Sequence, residues 1–242
     1  FGEAAPFTAR DVFDLEYAEN PRVSPDGEWV LYTRRSGDIM RDRFRAELWL
    51  TASDGSSHRP LVQDGGGGVW SPDGTRVAFT VSEGGAHEIR GVWMDTREVA
   101  TLVRTERPAG SLAWSPDGST LAFTMFVPSE SASPPGMPAR PEGAEWAEAA
   151  RVIDRAVYRS DGGGFIEQGS THVFVAPADG GTARQVTTGE YDHGGPLAWT
   201  ADGASIVFSA NRQENWEFDP IESELFEVDI ESGAIARLTE RD

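Results

Sequence analysis

A short phrase that comes back along the chain constrains its fold more than any other feature. Val23-Ser24-Pro25-Asp26-Gly27 recurs as Trp70-Ser71-Pro72-Asp73-Gly74 and as Trp114-Ser115-Pro116-Asp117-Gly118. A degenerate copy is Trp199-Thr200-Ala201-Asp202-Gly203. The chemistry of the phrase is that of a tight turn. Serine bonds back to the turn backbone, proline presets φ, aspartate tolerates the third position and glycine accepts the left-handed conformation that closes the turn. An apolar, β-prone run follows each copy, at 29–33, 77–80, 121–126 and 206–209. The tryptophan before the turn reads as a core residue on the preceding strand.

A second hairpin follows in each unit. Strands are expected at 46–51 and 59–62 around Asp54-Gly55, and at 89–94 and 99–103 around Asp95-Thr96. They are expected again at 172–176 and 183–187 around Asp179-Gly180-Gly181, and at 224–229 and 235–239 around Ser232-Gly233. Four strands per unit of roughly 40–50 residues is the pattern of β-propeller blades. The fold class is therefore all-β, a β-propeller with four four-stranded blades visible, part of a larger propeller. The expected divisions are a lead-in at 1–19, blades at 20–68, 69–110, 111–195 and 196–242, and an insertion at 127–171 within the third.

The repeated aspartates lie 47, 44 and 85 positions apart, and the insertion accounts for the long last interval. It opens with Pro128, Pro134, Pro135, Pro138 and Pro141, which reads as loop, and has helix-compatible spacing over 142–158. It breaks at Asp161-Gly162-Gly163-Gly164. Long loops of this kind are usually functional or disordered. A shorter acidic connection, 210–223, occupies the equivalent place in the fourth unit. The lead-in reads as a short helix over 6–16, capped by Thr8 and favoured by Asp11 in its first turn.

Charge narrows the partners. With 40 acidic and 21 basic residues the formal net charge is −19, which excludes nucleic acid and anionic membranes as main partners. All 21 basic residues are arginine, which we read as the coding bias of a GC-rich genome. Cysteine is absent, so disulfides, thiolate metal sites and cysteine nucleophiles are excluded. No run approaches the ~18 apolar residues of a membrane-spanning helix. A soluble protein is expected, cytoplasmic or periplasmic. The chain opens on Phe1, from which we expect that a signal peptide or a first segment has been removed.

No catalytic constellation emerges. His58, His87, His172 and His193 lack ligand spacing, so no metal is expected, and His193 reads as structural. Ser24, Ser71 and Ser115 are turn formers, since a nucleophile needs a base and an oxyanion hole. The glycine runs 65–68 and 162–164 precede neither a lysine nor a helix start, and no cofactor is expected. Asp26, Asp73, Asp117 and Asp202 recur with the repeat and read as architecture, not as calcium ligands.

The opening Pro6-Phe7-Thr8 with Asp11, Pro21 and the Ser24-Pro25-Asp26-Gly27 turn resembles the start of prolyl oligopeptidase family serine peptidases. Further matches are Tyr158-Arg159-Ser160-Asp161-Gly162, the stretch 172–175, and Arg184-Gln185-Val186-Thr187 followed by Gly189 and Asp192. Ser209-Ala210-Asn211-Arg212 and Arg237-Leu238-Thr239 also fit, with the bacterial acylaminoacyl-peptidase-like branch the most similar. The resemblance implies a propeller that precedes an α/β-hydrolase domain and restricts entry to short peptides. The sequence contains no G-x-S-x-G nucleophile elbow, so the family's triad has no position to map onto. A hydrolase domain or second chain is then the expected partner, with short peptides as substrates and a homo-oligomer left open.

The resemblance brings five residues forward as substrate-binding: Arg155, Tyr158, Arg159, Arg212 and Glu217. Arginine at the end of the insertion suits a peptide carboxylate, which it grips bidentately. Glu217 follows Trp216 in the acidic segment and is loosely similar to the amine-holding glutamates of dipeptidyl-peptidase-like relatives. Two other readings stand beside this one: a stand-alone TolB-like interaction module, and a glycan-binding propeller suggested by the eight tryptophans. The first unit has its own first strand and the fourth its own last, which favours a fragment. Further residues or a second polypeptide are expected against both ends, since large exposed apolar faces are unstable.

Overall fold

A computed structural model describes residues 6–129, 136, 138–147 and 151–240. The described residues form four four-stranded antiparallel sheets and one small ribbon. The first sheet comprises β1 (Glu16–Val23), β2 (Trp29–Asp38), β3 (Arg43–Ala52) and β4 (His58–Val62). The second comprises β5 (Gly66–Trp70), β6 (Arg76–Glu83), β7 (Ala86–Trp93) and β8 (Val99–Thr105). The third begins with β9 (Ala109–Trp114) and β10 (Thr120–Pro128). The ribbon of β11 (Arg159–Ser160) and β12 (Gly164–Phe165) interrupts it before β13 (Gly169–Pro177) and β14 (Arg184–Gln185) complete it. The fourth holds β15 (Gly194–Trp199), β16 (Ser205–Ala210), β17 (Glu224–Asp229) and β18 (Ile235–Arg237). Within each sheet the strands are neighbours in chain order. No described helix is long and apolar enough to cross a membrane.

The recurrent phrase does what its chemistry requires. The glycine N–H bonds to the carbonyl of the serine or threonine three residues earlier at 2.9 Å in all four copies. Ser71 and Ser115 donate to Asp73 and Asp117 at 2.6 Å, and Thr200 to Asp202 at 2.7 Å. The aspartate also accepts the N–H two residues on, from Glu28, Thr75, Ser119 and Ala204. These hydrogen bonds favour the carboxylate and lower the pKa of all four aspartates, that of Asp117 to about 2. Each glycine has a positive φ, between 71° and 77°, which a Cβ would oppose. The turns also nest on one another. Gly74 faces Pro25, Gly118 faces Pro72 and Gly203 faces Pro116.

Sheet stacks on sheet because the middle strands are apolar on both faces. Along β6, Val77, Phe79 and Val81 pack with Leu31, Leu48 and Leu50 of the first sheet. Ala78, from the opposite face, packs with Leu121, Phe123 and Phe174 of the third. Along β13, Phe174 and Ala176 point back to the second sheet, while Val173 and Val175 join Ile206, Phe208 and Val228 of the fourth. A period of two thus feeds two interfaces at once. The leading strands β5, β9 and β15 each pack against the sheet before them.

Two expectations are corrected. The lead-in forms a 3₁₀ helix over Ala9–Asp14, shorter than 6–16, with Thr8 N–H donating to the Asp11 carboxylate at 2.6 Å. The helix expected over 142–158 is absent from its described residues, 142–147 and 151–158. Pro141 and Gly143 open that segment with a turn, and Val152, Ile153 and Val157 line a cleft instead of forming a helical face. Pro134 and Pro135 lie outside the described residues.

Candidate functional site

The connections between second and third strands lie on one end of the sheets. Two of them, the insertion after β10 and the 211–223 connection after β16, meet there and enclose a cleft of about 730 Å³. The apolar wall comes from Phe126, Ile153, Val157, Phe165, Ile166 and Trp216. Arg151, Arg155, Tyr158, Glu167, Gln168, Thr171, Asp192 and Glu217 supply polar groups. A mostly apolar concavity with a few convergent polar groups is the form of a small-ligand site.

The arginines are presented on aromatic faces. The Arg155 guanidinium lies 5.7 Å from the Trp216 ring centroid, and that of Arg151 lies 4.2 Å from Phe165. Neither makes an ion pair among the described residues. A cation over an aromatic face is held there by the ring's quadrupole, which leaves its N–H donors available. Next to Trp216, Glu217 Oε2 accepts the N–H of Ala156 at 3.2 Å, whereas Oε1 is buried with no hydrogen-bond partner among the described residues. A buried carboxylate oxygen without a donor is costly, and this one has capacity for a further N–H. Asp192 accepts the Thr171 N–H at 2.7 Å, and Glu167 is taken up by Arg107.

Of the five residues brought forward from the sequence, Arg155, Tyr158 and Glu217 line this cleft together. Arg159 sits beside it, 6.0 Å from the Phe165 ring and outside the lining. Arg212 is elsewhere. Its guanidinium donates to His193 Nε2 at 2.7 Å and stacks near Tyr191 and Phe226. Phe126, Arg151, Thr171 and Asp192 were not singled out from the sequence as site residues. They come from four separate segments, and no spacing rule links them.

Beneath the cleft, His193 is fully buried, with Nδ1 3.2 Å from the Thr171 carbonyl and a ring centroid 5.1 Å from that of His172. Burial lowers the His193 pKa to about 4 and that of His172 below its ordinary value. Among the described residues no group of three or more His, Asp or Glu side chains gathers to hold a metal ion.

The fold and the cleft can now be set beside known proteins. Residues 146–242 match the family described as the dipeptidyl peptidase IV N-terminal region. Acylaminoacyl peptidase of Pyrococcus horikoshii superposes with a TM-score of 0.70 at 17% identity, over 94% of this chain and 33% of that one. TolB of Acinetobacter baumannii superposes with a TM-score of 0.56 at 20% identity, over 93% of this chain and 44% of that one. In sequence, the uncharacterized peptidase YuxL of Bacillus subtilis is 26% identical over 199 residues, which is 81% of this chain and 22% of YuxL. The Tol-Pal system protein TolB of Anaeromyxobacter dehalogenans is 42% identical over 73 residues, 29% of this chain and 15% of that protein. The chain thus spans less than a quarter of the length of these curated relatives.

These findings define the class first: a β-propeller protein. Within that class the chain is similar to the N-terminal propeller of prolyl oligopeptidase family peptidases.

Proposed function

We propose that this chain forms four successive blades of a larger propeller in a serine peptidase, and that the propeller restricts a hydrolase domain to short peptides. The cleft between the insertion and the 211–223 connection binds the peptide. Arg155, supported by Arg151, takes its C-terminal carboxylate, and the apolar wall takes the last side chain. Tyr158 lines the same cleft, and Arg159 adds positive charge at its edge. One observation supports this reading: two arginines without ion pairs among the described residues stand on aromatic faces in a cleft with an apolar wall, inside the region that matches the peptidase family. In such a setting a bidentate carboxylate contact is poorly screened by solvent.

The buried, unpartnered Glu217 Oε1 favours a second reading, in which the cleft holds the free amine of a peptide. Calorimetric titration of the intact protein with a tripeptide, its C-terminal amide and its N-acetyl form separates the two. Loss of affinity with the amide, reproduced by Arg155→Gln, supports the carboxylate reading. Loss with the N-acetyl form, reproduced by Glu217→Gln, supports the amine reading. Binding of none of the three removes the peptide function. A serine-directed fluorophosphonate probe then tests the peptidase itself. Failure to label the intact protein leaves the TolB-like interaction module, which the 42% identical stretch favours.

A further inference from the structure

We infer that His193 and Arg212 form an acid-released latch that holds the 211–223 connection, and with it one wall of the cleft, against the third sheet. The inference stands on the geometry of this pair and does not depend on what the cleft binds.

The connection has few other attachments. At its far end Glu217 accepts the Ala156 N–H and Trp216 stacks near Arg155. Phe218 and Ile221 are more than three-quarters exposed. At its root, Arg212 reaches inward and donates to His193 Nε2 at 2.7 Å. An arginine is only a donor, so Nε2 must be the unprotonated nitrogen. The proton then sits on Nδ1, which faces the Thr171 carbonyl at 3.2 Å. Both partners demand the same neutral tautomer.

Protonation of His193 removes the acceptor that Arg212 needs and sets one cation against another. The surroundings give little compensation. His172 of β13 lies tilted against the ring and is itself a base, and its Nδ1 is 3.3 Å from Thr187 Oγ1. Phe208 of β16 covers another side of the ring, while Tyr191 and Phe226 flank Arg212. Asp192, next in the chain, is the nearby carboxylate that favours the charged ring, and its Oδ1 already accepts the Thr171 N–H. Asp154, Arg155 and Glu190 share a smaller cleft with His172. Burial, with His172 and Arg212 adding to it, outweighs the Thr171 carbonyl and Asp192 and lowers the His193 pKa to about 4. A proton therefore binds the released ring far better than the latched one. Lowering the pH from 7.5 to 5.0 therefore favours release.

Hydrogen exchange followed by mass spectrometry tests the latch in the intact protein. The reporters are the amides of Trp216, Phe218 and Glu222, which are hydrogen-bonded within the connection. After correction for intrinsic rates, their protection falls at least tenfold between pH 7.5 and 5.0, while β16 and β17 keep theirs. His193→Asn, which retains a donor toward Thr171 without titrating, removes the pH response. Arg212→Met lowers protection equally at both pH values. Protection in the wild type that does not change with pH overturns the inference. So does a response that survives His193→Asn, or one that disappears only with His172→Asn. If His193→Asn fails to fold, the wild-type imidazole nitrogen shifts decide: a neutral His193 protonated on Nδ1 at pH 7.5 is required, and any other state overturns the latch.

Discussion

The indole N–H of Trp114 donates to the main-chain carbonyl of Val69 at 3.2 Å, across the gap between the second and third sheets. Val69 immediately precedes Trp70, which holds the same place in its own repeat. The relationship is repeated. Trp70 reaches the carbonyl of Arg22, and Trp199 reaches that of Ala113, at 3.2 and 3.3 Å. Each tryptophan therefore ties its sheet to the residue one step before the equivalent position of the preceding sheet. Together with the nesting of each turn glycine on the preceding proline, this sets sheet on sheet in one register. Arg76 adds a third tie, with its guanidinium 4.9 Å from the Trp114 ring and hydrogen bonds to Asp179 and the Gly118 carbonyl.

Trp114→Phe keeps most of the ring contact and removes the donor, so the Val69 carbonyl loses its partner in a half-dry gap. We expect a loss of about 1–2 kcal/mol in unfolding free energy. Trp114→Ala also empties the volume and costs about 3–5 kcal/mol. Urea unfolding at pH 7 measures both, and equal losses from the two variants would show that the hydrogen bond contributes nothing of its own.

Asp117→Asn tests the turn. The Asp117 carboxylate accepts from the Ser115 hydroxyl and from both the N–H and hydroxyl of Ser119. Its pKa is depressed to about 2, so it contributes stability above pH 3.8 that is lost as pH falls toward 2. The asparagine variant should have a lower thermal midpoint at neutral pH and a flatter acid limb. A midpoint unchanged at pH 7 would show that shape alone makes the turn.

Acid should weaken the buried histidine site. His193 is held neutral, with its folded pKa near 4 against an ordinary 6.5. Its contribution is therefore complete above pH 6.5 and declines as pH falls to about 4. Discounted for solvent screening, the change is on the order of 2 kcal/mol. Chemical unfolding from pH 7.5 to 4.5 checks this, with His193→Asn losing that part of the slope.

Gly169→Ala should damage the lip of the cleft. At φ 152°, an added Cβ would lie 2.3 Å from the Val127 carbonyl oxygen and 2.6 Å from the Phe126 ring. Main chain cannot move aside as a flexible side chain does, so the cost is about 1–3 kcal/mol or more. Phe126 and Gly169 both line the cleft, and ligand affinity should fall with stability. Denaturant titration together with peptide titration measures the two effects.

How much was legible follows from how local each signal is. The turn phrase is complete within a few residues: Ser71 Oγ donates to Asp73 and accepts the Arg76 N–H. Strand periodicity is local too, so β6 could be expected to pair with its neighbours from its own residues. The insertion obeys no such rule. Val152, Ile153 and Val157 have spacing that suits a helix, yet they are apolar because the cleft wall is apolar. The cleft is legible only in part for the same reason. Arg155, Tyr158 and Glu217 were reached through a family resemblance; Phe126 was legible only as the end of an apolar run and Asp192 only as part of the resemblance, whereas Arg151 and Thr171 carried no pattern at all. Arg212 was brought forward with them, but its guanidinium turned inward because a neutral imidazole acceptor waited there.

By itself, then, the sequence determined an all-β chain of repeated four-stranded units, because turn chemistry and a two-residue period act between neighbours in the chain. Only the tertiary structure decided that Arg155, 61 residues before Trp216, stacks on it, and that His193 and Arg212 share a proton-sensitive contact. Those contacts depend on how two long connections fold over one end of the sheets. Burial and electrostatics at such a meeting point come from residues distant in sequence, and no local pattern encodes them.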